Sequence, residues 1–175
     1  MKERTIEITA STGLFIGGIF GMIGSFVSSP ALRSLAWAID GVGLILAGAL
    51  LTLYYFRKGL DVTAAGFLIF TIGEGFILSS SGMNLYSEIS SFAAGTSLWA
   101  TSLFLISIQK TYSLLIRGTG ILAAILFSIT TVLIYTGQPL NALVKPLPFY
   151  AYPIFMITLF GWAWTLLNKR SLQTN

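Results

Sequence analysis

Long apolar stretches broken by short polar segments run through the whole chain. Six runs can be marked, at residues 10–29, 34–56, 60–82, 86–108, 113–136 and 146–167, each near the roughly 20 residues a helix needs to cross the hydrocarbon core of a bilayer. The apolar positions are continuous and do not alternate, so the strand pattern of a membrane β-barrel is missing. Unpaired backbone N–H and C=O groups are costly in hydrocarbon, and a helix satisfies them within its own segment. The pattern predicts an all-α fold: a polytopic membrane protein in which residues 1–175 form a single transmembrane domain, a bundle of six transmembrane helices with short loops. Pro30, the Ser79 to Ser81 cluster with Gly82, and Gln138-Pro139 mark turns on one side, while Arg57-Lys58-Gly59 and Lys110 mark turns on the other.

A weak internal period accompanies the runs. Gly13, Gly66 and Gly120 each open an odd-numbered run after Thr12, Ala65 or Thr119, at spacings of 53 and 54 residues, which reads as three helical hairpins. Each hairpin ends on basic residues, Arg57-Lys58, Lys110 and Lys169-Arg170, but membrane orientation explains that without duplication.

Composition sharpens the class. Of the 175 residues 55% are hydrophobic and only 9% charged, against about 25% charged in soluble domains, and little chain is left over for a soluble unit. Cysteine and histidine are both absent, which excludes disulfides, thiol nucleophiles, the usual zinc sites, His-ligated haem and imidazole-based acid/base chemistry. The net charge of +4 does not point to nucleic acid, because the basic residues sit singly or in pairs at the ends of apolar runs. With the N-terminus inside, Lys2, Arg4, Arg57, Lys58, Lys110, Arg117, Lys169 and Arg170 are internal and only Arg33 and Lys145 external, which predicts a cytoplasmic-membrane protein with both termini in the cytoplasm. Aromatic residues flank the same ends: Tyr54, Tyr55, Tyr112, Trp162 and Trp164 inside, Trp37, Tyr86, Tyr150 and Tyr152 outside. Lys2 and Arg4 ahead of an apolar run ending at Ser28 and Ser29 share features with a secretory signal peptide. The run is longer than a typical signal core and Glu3 and Glu7 precede it, so it is expected to be retained.

Three groups of residues are candidates for function or specific packing. Gly13, Gly17, Gly21 and Ser25 recur every four residues on the first helix, a smooth stripe suited to close helix packing, with Gly41, Gly43 and Gly48 of the second as its partner. Asp40 and Glu74 are carboxylates inside apolar runs, where an ionisable group costs about 2.5–3.5 kcal/mol on insertion scales and is a functional candidate by default. Asp40 follows Arg33 by seven residues and Glu74 precedes Gly82 by eight, which puts both roughly 10–12 Å below the outer helix ends. If they face each other, two such groups share one proton or hold a cation, since both cannot ionise cheaply together. Gly73 and Gly75 beside Glu74 would let a neighbouring backbone approach. The third group is Glu88 with Ser79, Ser80, Ser81, Asn84, Ser87, Ser90 and Ser91, read either as an outer polar vestibule for protons or hard cations or as a capped loop. Core packing is expected for Trp99, Thr101, Phe155, Met156 and Phe160, with an apolar ligand pocket as the alternative, and Pro146, Pro148 and Pro153 cluster at the start of the sixth helix.

No phosphate loop, nucleophile elbow or HExxH motif is present. The reading that follows is a small transporter or channel-like protein with Glu74, Asp40 and Glu88 in proton or cation coupling. Its lipid bilayer is the constant partner, a homo-oligomer or a membrane partner protein is an option, and no cofactor or nucleic acid is expected. One alternative is a non-catalytic packing subunit or assembly factor of a membrane complex. The other is a lipid-active enzyme using the carboxylates as acid and base.

Overall fold

A computed structural model describes residues 3–81, 89–138 and 150–168. They form six helices, α1 (Glu3–Phe26), α2 (Pro30–Arg57), α3 (Asp61–Ser81), α4 (Ile89–Ile108), α5 (Leu114–Tyr135) and α6 (Tyr152–Asn168), with no strand among the described residues. The first five are long and apolar enough to cross a membrane. The described part of α6 has 17 residues, about 26 Å at 1.5 Å per residue.

Local chemistry explains the boundaries. Ser29 accepts a bond from the Leu32 N–H at 3.5 Å and Pro30 fills the first helical position, where a missing donor costs nothing. Pro30 therefore starts α2 four residues earlier than the apolar run suggests, and does not sit in a longer loop. Glu3 and Glu7 belong to α1, seven residues ahead of its predicted start. Glu3 pairs with Lys58, and Glu7 accepts a bond from the Tyr54 hydroxyl at 2.9 Å. Burial alone would lower the Lys58 pKa, but its contacts with Glu3 and Tyr54 outweigh that and raise it. Gly59 turns the chain into α3 with φ of +68°, a conformation open to glycine at no steric cost. Two arginines close helix ends: Arg33 donates to the Val27 carbonyl at 2.9 Å, and Arg117 donates to Ser107 and Ile108 carbonyls at 2.8 and 3.2 Å. Cationic donors suit these unsatisfied, partly negative C-terminal carbonyls.

Each helix packs on its sequence neighbours and α6 returns to α1, so the six close into a ring. Small residues set the approaches. Gly13 of α1 and Gly43 of α2 face each other so closely that a Cβ on Gly13 would stand 2.6 Å from the Gly43 carbonyl oxygen. Gly73 and Gly95 do the same between α3 and α4, at 3.2 Å. Hydroxyls tie the ring across helices: Thr96 with Thr131 at 2.9 Å, Thr158 with Thr119 at 3.0 Å, and Ser11 to the Ala163 carbonyl at 3.2 Å.

Large apolar side chains face outward on every helix, among them Ile19, Val42, Ile72, Phe104, Val132 and Trp164. The total accessible surface is 8786 Å², close to the roughly 8300 Å² of a compact monomer of this mass. Ordinary compactness combined with an apolar exterior all round suggests a membrane protein. Among the described basic residues, Arg4, Arg57, Lys58, Lys110 and Arg117 lie toward one end of the ring and Arg33 lies at the other.

Candidate functional site

The aromatic residues that close the ring's interior also delimit an internal cavity. From the basic end, Tyr55 stacks on Phe67 at 5.4 Å, Phe67 meets Trp162 at 5.0 Å, Trp162 meets Phe70 at 6.1 Å and Phe70 meets Phe155 at 6.0 Å. The Tyr55 and Tyr112 hydroxyls meet at 2.7 Å beneath this column. Phe155 then packs at 5.0 Å against Trp99, and beyond these two rings the interior opens into a cavity of about 60 Å³ bounded by α1, α2, α3, α4 and α6.

Asp40 and Glu74 both line that cavity. Glu74 is buried and Asp40 half-buried. Three polar atoms around the space are buried without a hydrogen-bond partner among the described residues: Asp40 Oδ1, Glu74 Oε2 and the Trp99 indole Nε1. The Trp99 N–H faces Glu74 without reaching hydrogen-bond geometry. Buried polar atoms in folded proteins nearly always find partners, so three such atoms around one cavity single it out as the candidate site. Among the described residues no Lys or Arg lines the space, so the two carboxylates share one pocket without a basic counter-ion from the described helices. Three hydroxyl-bearing residues join them, Ser25, Ser80 and Tyr152, and the two serines each donate to a backbone carbonyl of their own helix, Gly21 at 3.1 Å and Ile77 at 2.8 Å. Their oxygens keep lone pairs able to accept.

The glycine stripe of α1 divides between two tasks. Gly13 serves helix packing. At Gly21 a Cβ would lie 2.8 Å from Asp40 Oδ2, and at Gly17 it would lie 3.2 Å from Asp40 Oδ1 as well as against Leu44. The hollow made by Gly17 and Gly21 is the seat of the Asp40 carboxylate. Gly24 makes room for the Trp37 indole, and Gly18 for Phe160 and Met156 of α6. Near Glu74, Gly73 receives α4, whereas a Cβ at Gly75 would meet nothing within 4 Å among the described residues.

The other expected site residues disperse. Glu88, Asn84 and Ser87 lie outside the described residues. Ser79 and Ser90 are exposed, and Ser80 reaches the cavity. Of the apolar candidates, Trp99, Phe155 and Met156 line it. Thr101 is exposed and bonded to the Ser97 carbonyl, and Phe160 packs on Phe15 at 5.1 Å. Pro153 is the second residue of α6, in the first turn where its missing donor is harmless. Trp37 and Tyr152 also line the cavity and were expected only as interfacial aromatics. Their position near the outer helix ends, Trp37 about two turns into α2 and Tyr152 at the start of α6, gave no hint that they turn inward.

The arrangement suits binding of one or more small positive species. Among the described residues no group of three or more Asp, Glu, His or Cys side chains could hold a metal ion. No family model matches the chain, and neither the curated proteins nor the solved structures contain a match, so its function is argued from this site's own geometry.

Proposed function

We propose that this chain is a small multi-pass membrane transporter or channel-like protein, with six transmembrane helices, both termini in the cytoplasm, and Asp40 and Glu74 as its proton- or cation-coupling groups. The observation that carries the reading is the meeting of these two carboxylates at one internal cavity, each with an oxygen lacking a hydrogen-bond partner among the described residues. Two anions in a low-dielectric pocket repel strongly, and no Lys or Arg among the described residues lines the space to offset them. The pocket becomes electrically reasonable when a proton or a cation enters, and a group that must gain and lose such a partner is what coupling needs. Size agrees. A water needs about 10–15 Å³ of such space, so about 60 Å³ admits a few waters or a small ion and no drug-sized substrate. The aromatic column from Phe155 to Tyr55 separates the cavity from the basic end, as a closed gate would.

The test is proton and monovalent-cation flux into proteoliposomes holding wild type, Glu74→Gln or Asp40→Asn. Each amide keeps the size of the side chain and removes its charge, so flux is expected in wild type and lost in either variant, with insertion unchanged. Flux that survives both substitutions refutes coupling through the pair. Absence of flux from folded wild type favours the second reading, a packing subunit of a membrane complex. That reading draws on the outward groove between α1 and α2, floored by Gly13 and Gly43 and walled by Ile8, Ile16, Val42 and Leu46.

A further inference from the structure

The walls of the cavity narrow the class of positive species. We infer that the cavity between Asp40 and Glu74 binds a small primary alkylammonium ion, of the size of methylammonium, in preference to an alkali-metal ion or a quaternary ammonium. The inference rests on the proposed cation-handling role and specifies its substrate.

Coordination comes first. A bare metal cation wants oxygen on most sides. Among the described residues the side-chain oxygens here are those of Asp40, Glu74, Ser25, Ser80 and the Tyr152 hydroxyl, and most of the remaining lining is hydrocarbon and ring. Five aromatic side chains, Trp37, Phe92, Trp99, Tyr152 and Phe155, enclose the same space. Rings cannot complete a hard ion's shell, but they attract an ammonium group through their electron-rich faces and pack against its carbon.

Hydrogen-bond matching comes second. A primary ammonium carries three N–H donors and no acceptor, like the head of a lysine side chain. The cavity offers two orphaned acceptors, Asp40 Oδ1 and Glu74 Oε2, from different helices, with the Ser25 and Ser80 oxygens also lining it. One ammonium bridging the carboxylates satisfies both orphaned acceptors and offsets one of their two negative charges in the same act. A shared proton likewise removes one of the two negative charges but leaves the apolar remainder of the space unfilled.

Size comes third. An apolar cavity of about 150 Å³ accepts benzene. The present space, about 60 Å³, is well below that. It fits an ammonium head with one or two carbons and excludes four methyl groups around nitrogen, which would also present no N–H donor to either carboxylate.

The experiment is titration of purified wild-type protein with methylammonium chloride, followed by intrinsic tryptophan emission and by calorimetry, beside sodium, potassium and tetramethylammonium chlorides. Trp37 and Trp99 line the site and report on its occupation. Saturable binding of methylammonium is expected, weakened about tenfold or more in Glu74→Gln and Asp40→Asn because a charge-assisted hydrogen bond is removed. The three other salts should give only unsaturable changes. This size and chemistry series is read on wild type and does not depend on whether a variant folds. Saturable binding of sodium or potassium with none of methylammonium, or equal binding of tetramethylammonium, overturns the inference. So does the absence of any binding. Proton flux measured on the same preparation separates the two ideas: flux lost in the carboxylate variants without methylammonium binding removes the ammonium alone, whereas no flux of any kind removes the transport reading beneath it.

Discussion

Gly13 and Gly21 lie two helical turns apart on the same stripe of α1, yet adding one methyl group to each should break different things. At Gly13 the new Cβ meets backbone, the Gly43 carbonyl oxygen at 2.6 Å, and the Ala47 Cβ at 3.1 Å. Reaching the 3.4 Å of ordinary contact requires α1 and α2 to separate by 0.8 Å along most of their shared length. Overpacking of this kind costs about 1–3 kcal/mol, and here nothing flexible stands in the way to absorb it. At Gly21 the new Cβ meets the end of a side chain, Asp40 Oδ2 at 2.8 Å and Cγ at 3.1 Å. The carboxylate can retreat 0.6 Å by side-chain rotation while the helices stay in place, at a cost of order 0.5–1.5 kcal/mol if it leaves its rotamer. Gly13→Ala should therefore lower the unfolding midpoint measured in detergent while the folded fraction keeps wild-type flux per molecule. Gly21→Ala should leave that midpoint nearly unchanged and reduce flux about tenfold or more, since a displacement of this size at a binding group is enough to spoil it. Equal loss of stability in both variants, with flux falling only in proportion to folded protein, would show the whole stripe to be packing and refute Gly21 as the seat of Asp40.

Other expectations follow from single contacts. Tyr55→Phe leaves the buried Tyr112 hydroxyl without its 2.7 Å partner and should destabilise by about 1–3 kcal/mol in chemical unfolding; adding Tyr112→Phe should restore part of the loss, and failure to do so would deny that the hydroxyls act as a pair. Arg117→Ala removes donors to the Ser107 and Ile108 carbonyls and should cost about 1–3 kcal/mol, with Arg117→Lys recovering only part because it lacks the planar fork; an unchanged unfolding midpoint for Arg117→Ala would count against its capping role. Reporters fused after Asn175 and within the 57–61 loop should read cytoplasmic and one inserted at residue 84 external, and the reverse pattern would invert the proposed topology.

The positions of the six helices were legible because membrane-like segments advertise themselves by length and apolarity, as residues 60–82 did for α3 (Asp61–Ser81). The start of α1 was not. Its first turns, Glu3 to Thr9, look polar in isolation, and what holds them lies far along the chain: Lys58 for Glu3, Tyr54 for Glu7, and the Leu167 carbonyl for Arg4 at 3.5 Å. The two carboxylates were legible as anomalies of composition. Their company was not, because helices apolar around most of their circumference carry no moment to say which face looks inward. Trp99 and Phe155 were expected in the core, but Trp37 and Tyr152 read as interfacial aromatics, and only the packed ring turns all four toward one cavity.

One further signal was present in the sequence. Antiparallel helices that meet at glycine fix their own register: once Gly13 of α1 faces Gly43 of α2, moving one turn up α1 to Gly17 means moving one turn back along α2, from Gly43 to Asp40. The contacts follow that rule, with Gly17 and Gly21 receiving Asp40 and Gly24 receiving Trp37. The stripe and the carboxylate therefore belong to one device. The same close approach that lets α1 and α2 pack without bulky side chains also leaves the hollow in which a charged group can sit deep between them. Glu74 shows the corresponding logic on α3. Gly73 brings α4 near enough for Gly95 to touch it and for Trp99, one turn beyond Gly95, to face the carboxylate. In both cases glycine packing aims an acidic side chain at a shared interior space, so helix packing and site geometry are under the same sequence constraint. Substitutions that alter one of these glycine contacts should shift the carboxylate next to it before they loosen the ring.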